Sequence, residues 1–245
     1  MSASHRRAHR CACVLFTVLL ATVSARATPP ETARGRVERT HAAPLPDYVV
    51  RPIDGAPGRR PVALYLHGLC GDPGNGCGYF RAGVIERAWL VCPSAPVACP
   101  GHGATWATSG GSQRATLTRA LADLARREPS GVDLGAPGVL IGFSQGAYVA
   151  RDLLRAWRGR FTGVAFIGAY VAPTRAELEA AGVRRVVLAA GRRDGTHAAL
   201  VTAAQRLERE GFPVRFLDLG PVGHTYAPAP GTPGWRDALA WLGGG

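Results

Sequence analysis

From residue 61 onward, short apolar runs of strand length take turns with longer segments whose apolar residues recur at helical spacing. Strands are predicted at residues 62–67, 89–92, 163–167, 185–190 and 214–219, and a further one in the run that opens at Gly138. Helices are predicted near 79–88, 113–127, 175–180, 197–210 and 235–242, with another directly after Ser144. Strands alternating with helices call for right-handed crossovers. The expected fold is therefore α/β, a mainly parallel central sheet with helices on both faces. We find no internal repeat and no linker after residue 60, so residues 61–245 are expected to form one domain.

The stretch ahead of this domain breaks the rhythm. Residues 28–60 are rich in Pro, Arg and Gly, and only 47–51 has strand character, so this part reads as an N-terminal tail with a first strand region. Residues 1–27 hold a basic start with Arg6, Arg7 and Arg10, an apolar run from about Cys13 to Val23, and Ala25-Arg26-Ala27. That layout predicts a secretory signal peptide cleaved after Ala27. Its apolar run is short for a bilayer span, so no stable membrane insertion is expected after processing, and the product would be periplasmic or extracellular.

Composition alters this picture in two places. Hydrophobic content of 47% and charged content of 19% suit a globular chain. The net charge of +12 comes from 29 basic residues, every one an arginine. Removing the four in residues 1–27 leaves 25 basic against 17 acidic residues, a net +8. The remaining arginines are scattered and not interleaved with aromatics, so they read as a solvated surface, and no nucleic-acid partner is expected. Export makes the four later cysteines, Cys70, Cys77, Cys92 and Cys99, candidates for disulfides. Pairs Cys70–Cys77 and Cys92–Cys99 would each close one Pro/Gly-rich loop; Cys70–Cys92 is the alternative if those loops lie side by side. Neither pair has Cys-x-x-Cys spacing, and no metal is expected.

The candidate chemistry centres on Gly142-Phe143-Ser144-Gln145-Gly146, placed between a strand and a helix whose apolar face is Ala147, Val149, Ala150, Leu153 and Leu154. At such a turn Ser144 is exposed on a strained backbone, and Gly142 and Gly146 meet a steric demand for a missing Cβ. A serine hydroxyl is a weak nucleophile near neutral pH and needs a base within hydrogen-bond reach. His224 and Asp194 each follow the carboxyl end of a predicted strand, where ligands of open parallel sheets collect. The order Ser, Asp, His predicts Ser144 as nucleophile, His224 as base and Asp194 as the acid that orients it. His197 is the competing base and Asp218 the competing acid. An oxyanion needs two donors, expected from the Gln145 N–H and from Leu69, with Cys70 next in line.

Leu66-His67-Gly68 after a strand, Gly-Phe-Ser-Gln-Gly, Asp194 after a later strand and Gly223-His224 near the end together resemble the α/β-hydrolase superfamily. Gly-Phe-Ser-Gln-Gly, and Cys92-Pro93-Ser94-Ala95-Pro96 followed by Trp106, are similar to its carboxylesterase/phospholipase and dienelactone-hydrolase-like branch. The likeness spans about residues 61 to 242. It implies a serine ester hydrolase acting through an acyl-enzyme with no cofactor, and places Trp106 near the acyl site. His67, which shapes the loop after its strand, is grouped with Trp106 as a pocket residue. The export signal and the four cysteines depart from the branch and point toward secreted esterases. The segment from Gly168 to Gly182 is too short for a cap domain, so an open site for small esters, or for ester groups on a larger surface, is expected. The same motifs would serve a peptidase or acyltransferase, or a catalytically silent binding protein.

Overall fold

The computed structural model describes residues 37–39, 45–53 and 58–244. The predicted signal peptide, its cleavage point and the beginning of the 28–60 stretch lie outside the described residues. Within them the chain runs β1 (Val37–Arg39), β2 (Tyr48–Val50), β3 (Val62–Leu66), α1 (Pro73–Val84), β4 (Trp89–Cys92), β5 (Val97–Ala98), β6 (Ala104–Thr105), α2 (Gly110–Arg127) and β7 (Gly138–Phe143). It continues through α3 (Gln145–Ala156), β8 (Phe161–Ile167), α4 (Arg175–Ala180), β9 (Arg185–Ala190), α5 (His197–Arg209), β10 (Val214–Asp218) and α6 (Trp235–Leu242).

Eight strands make one sheet in the order β1-β2-β4-β3-β7-β8-β9-β10, and β5 with β6 forms a separate hairpin. All pairings from β4 to β10 are parallel, while β1–β2 and β2–β4 are antiparallel. Parallel strands covered on both sides call for near-continuous apolar runs, and β3 and β4 are apolar and buried throughout, while the edge strand β10 carries Arg215 and Asp218 and is only half-buried. In β3, Val62, Leu64 and Leu66 face one core and Ala63 and Tyr65 the other; in β8, Val164 and Phe166 oppose Ala165 and Ile167. Helices α2, α3, α4 and α5 cover the first face with residues such as Leu117, Leu124, Leu153, Leu178 and Leu207. Helices α1 and α6 cover the second with Phe80, Val84, Trp235 and Leu239.

Several elements differ from the sequence reading. Helix α1 begins at Pro73, not near Tyr79, because Asp72 caps it by accepting from Gly74 N at 2.7 Å and proline occupies its first turn. Two of its first-half glycines, unfavourable for a helix in isolation, are imposed by packing: a Cβ on Gly76 would lie 1.9 Å from the Tyr65 ring and one on Gly74 2.7 Å from the Tyr48 ring. The strand near residue 48 belongs to the main sheet through β4, and β1 extends that edge.

The disulfides correct the expected pairing. Cys70 joins Cys99 and Cys77 joins Cys92, so neither local loop is closed on itself. Cys77 sits on the buried side of α1 and faces the end of β4, where Cys92 lies equally buried. Cys70 lies outside that core, on the loop after β3. The β5–β6 hairpin runs alongside this loop through Ala104 N donating to Gly71 O, bringing Cys99 to it.

Between β8 and β9 lie only a loop and the six-residue α4, so nothing there forms a cap. Among the described residues no helix is long and apolar enough to cross a membrane.

Candidate active site

Strand β7 ends at Phe143 and α3 starts at Gln145, so Ser144 alone makes the turn, at φ 53° and ψ −118°. A side-chain-bearing residue in that region is strained and persists only where its surroundings fix it. Ser144 N donates to Ile167 O at 2.8 Å, and Ser144 O accepts from Ala147 N at 3.0 Å. The flanking glycines are needed for close approach. A Cβ on Gly146 would lie 2.1 Å from Leu66 O, and one on Gly142 would lie 2.7 Å from Ala147 Cα.

Two loops at the same edge of the sheet deliver the other groups. The loop after β9 and the loop after β10 are stitched together by Arg192 N to Gly220 O (2.8 Å) and Arg193 N to Val222 O (3.0 Å). This lays Asp194 beside His224. Asp194 is 3% exposed at its side chain and accepts His224 Nδ1–H on Oδ2 at 2.8 Å. Its Oδ1 accepts from Thr196 N and Thr196 Oγ1, each at 2.9 Å. Burial pushes the Asp194 carboxyl up, but the bonds from the Thr196 N–H, His224 and the Thr196 hydroxyl outweigh it and hold it below the usual carboxylate range.

His224 Nε2 lies 2.9 Å from Ser144 Oγ. With Nδ1–H donated to a carboxylate, the lone pair of the neutral ring is on Nε2, so the serine hydroxyl donates to it. The imidazole is 49% exposed at its side chain and packs on the Phe143 ring at 5.0 Å. Gly168, at φ +57°, lets the chain pass behind it, since a Cβ there would lie 3.1 Å from His224 Cε1 and 3.2 Å from Asp194 Oδ2. The two rivals are engaged elsewhere. His197 opens α5 and meets Phe216 edge-on at 5.4 Å, while Asp218 holds Arg192 Nε at 2.7 Å and Gly220 N at 2.8 Å.

On the other side of Ser144 runs the loop after β3. A Cβ on Gly68 would come within 3.2 Å of Ser144 Cβ, so the backbone leading into Leu69 passes beside the serine, with the Leu69 side chain exposed. Cys70 follows at φ 51°, tied to Cys99. Gln145 N begins α3 and has no partner within the helix.

The sequence matches no protein-family profile and no curated protein. Solved structures do match. Esterase PE8 aligns at TM-score 0.57 and 22% identity over 79% of this chain and 95% of its own. TT1662 from Thermus thermophilus aligns at 0.57 and 22% over 85% and 97%. A Pyrobaculum calidifontis esterase aligns at 0.58 and 17% over 86% of each chain. The protein has the α/β-hydrolase fold.

Within this hydrolase fold two expected pocket residues are supports. His67 and Trp106 are each 1% exposed, so neither lines an open pocket. His67 Nδ1 bonds Gly68 O at 2.8 Å and its Nε2 accepts from Ala95 N at 3.1 Å, leaving no ring nitrogen for a ligand. Burial lowers its pKa and keeps it neutral, against the opposing pull of Gly68 O and Asp72. Trp106 packs on that ring at 5.3 Å and donates Nε1–H to His67 O at 3.1 Å. Both brace the loop that carries Leu69.

Two contributors escaped the sequence reading of this hydrolase fold. Thr196, two residues after Asp194, makes the short-range side-chain turn its spacing allows, a signal present in the sequence. The Gln145 side chain accepts from Trp106 N at 3.0 Å and Thr105 Oγ1 at 3.1 Å, pinning β6 to the serine turn. No local pattern announces that long-range contact.

Proposed function

We propose that the protein is an exported serine hydrolase that cleaves carboxylic esters through an acyl-enzyme. The observation that carries this reading is the continuous hydrogen-bond chain Ser144 Oγ–His224 Nε2–His224 Nδ1–Asp194 Oδ2, with spacings of 2.9 and 2.8 Å. Esterases among the proteins of like fold support the same reaction class. In this reading His224 takes the hydroxyl proton as Ser144 Oγ attacks the ester carbonyl, and Asp194 stabilises the imidazolium that forms. The N–H groups of Gln145 and Leu69 receive the oxyanion. His224 then gives its proton to the departing alkoxide, and a water activated by the same ring releases the acid. Apart from that water, these steps use only this chain's own groups. Two disulfides and the signal-like start of the sequence support export.

Turnover of p-nitrophenyl esters beside peptide p-nitroanilides tests the reading. Ester cleavage is expected, with Ser144→Ala and His224→Ala each losing at least about 10⁴-fold in kcat. Anilide cleavage without ester cleavage would make the protein a peptidase instead. No turnover of either would leave the silent binding protein.

A further inference from the structure

Tyr148 and Tyr170 stand out from the other tyrosines in how they are exposed. Tyr170 is 63% exposed and Tyr148 37%, yet the hydroxyl of each is tied to backbone. Tyr170 Oη donates to Gly195 O at 2.9 Å, and Tyr148 Oη accepts from Tyr170 N at 3.1 Å. An exposed tyrosine ordinarily turns its polar tip to water and rests its ring on the protein. Here both residues stay exposed while each hydroxyl is engaged by backbone, so both side chains are already ordered.

Their position is as informative as their exposure. Tyr148 lies one helical turn beyond Ser144, on the solvent side of α3, opposite the buried Val149, Ala150 and Leu153. Tyr170 belongs to the loop after β8, two residues past the Gly168 that abuts His224 and Asp194, and its hydroxyl holds the residue directly after Asp194. The two rings therefore connect the helix behind the serine to the loop behind the acid. With only the short α4 between β8 and β9, no cap element is available there to cover them.

We propose that Tyr148 and Tyr170 form a fixed aromatic ledge at the mouth of the site, which selects esters carrying a flat, unsaturated ring a few bonds from the scissile bond. The inference rests on the ester-hydrolase reading of Ser144. A planar ring can stack on a tyrosine face or meet it edge-on, gaining attraction beyond the area buried, whereas a puckered ring of the same carbon skeleton cannot. Because the rings are ordered beforehand, little rotamer freedom remains to be lost on binding.

The test compares methyl 3-phenylpropanoate with methyl 3-cyclohexylpropanoate, which differ in ring flatness, and uses ethyl acetate as a ringless reference. Wild type is expected to favour the phenyl ester in kcat/KM by about threefold to tenfold, the range an aromatic contact supplies. Tyr170→Ala and Tyr148→Ala should each reduce that preference, chiefly through KM; the readout is the ratio of the two ring esters, in which any change that also alters ethyl acetate turnover, such as loss of the Tyr170 bond to Gly195 O, cancels. Tyr170→Phe should keep part of it. Equal use of the two ring esters by wild type, or a preference that survives Tyr148→Ala/Tyr170→Ala, overturns the ledge. Titration of both esters into Ser144→Ala, followed by NMR, separates this from failure of the hydrolase reading. Tighter binding of the phenyl ester, lost on adding Tyr170→Ala, upholds the ledge even if wild type hydrolyses nothing; equal binding overturns it.

Discussion

Thr196 supplies two hydrogen bonds to Asp194 Oδ1 and so fixes the carboxylate plane that meets His224. The backbone bond survives any substitution except proline, but the hydroxyl bond does not. Thr196→Val should lower kcat about tenfold with little change in KM, the scale of one charge-assisted hydrogen bond, and Thr196→Ser should restore it. A Thr196→Val enzyme with unchanged kcat would show that Asp194 is held by other means. His67 carries a different residue-level consequence. In the unfolded chain its imidazole takes up a proton near pH 6.5, whereas burial lowers the folded pKa. Between those values the unfolded state binds more protons, so stability is fully present above about 6.5 and declines as pH falls through it. The depressed Asp194 carboxyl acts in a separate window, its stabilisation being lost as pH drops below 3.8. Melting temperatures at pH 7.5 and 5.5 should therefore differ less in His67→Gln than in wild type. An identical difference would mean that His67 protonates as freely in the fold as in the open chain.

At the scale of elements, the two disulfides should be separable. Cys77–Cys92 is buried, joins α1 to β4 and spans 15 residues, for which loop closure gives about 3 kcal/mol. Replacing both by serine should lower Tm by roughly 6 to 12 °C in a domain of this size. Cys70–Cys99 is more exposed and holds the loop beside Ser144 to the β5–β6 hairpin. Mild reductant should open it first, and Cys70→Ser/Cys99→Ser should lower kcat several-fold if Leu69 receives the oxyanion as proposed, since small displacements of such a donor are costly. Loss of stability without loss of kcat would limit this bridge to a structural part. The same elements mark what the chain makes legible. The turn at Ser144, the alternating strands and helices and the Ser, Asp, His order all rest on local pattern, and they were readable. The cysteine pairing was not, because it depends on how a hairpin of two-residue strands lies against another loop. Strands as short as β1, β5 and β6 carry no periodicity. The start of α1 was obscured by glycines, of which Gly74 and Gly76 answer to the Tyr48 and Tyr65 rings packed against them, and the roles of His67 and Trp106 by burial that only the assembled sheet provides.

For the molecule as a whole, the open edge of the sheet governs access. Nothing between β8 and β9 can close over the serine, so catalysis should not await an interface. Velocity on a short-chain ester should rise smoothly to saturation and show no jump where the substrate passes its solubility limit; such a jump would imply a moving cover. Everything proposed about the reaction depends on one nucleophile. Its most direct test is the intact mass of purified protein after exposure to a fluorophosphonate, with the adduct located by peptide mapping. Wild type should gain a single phosphonyl group on the peptide containing Ser144, His224→Ala should gain it far more slowly, and Ser144→Ala should gain none. An unmodified wild type, or an adduct that persists in Ser144→Ala, would contradict the account.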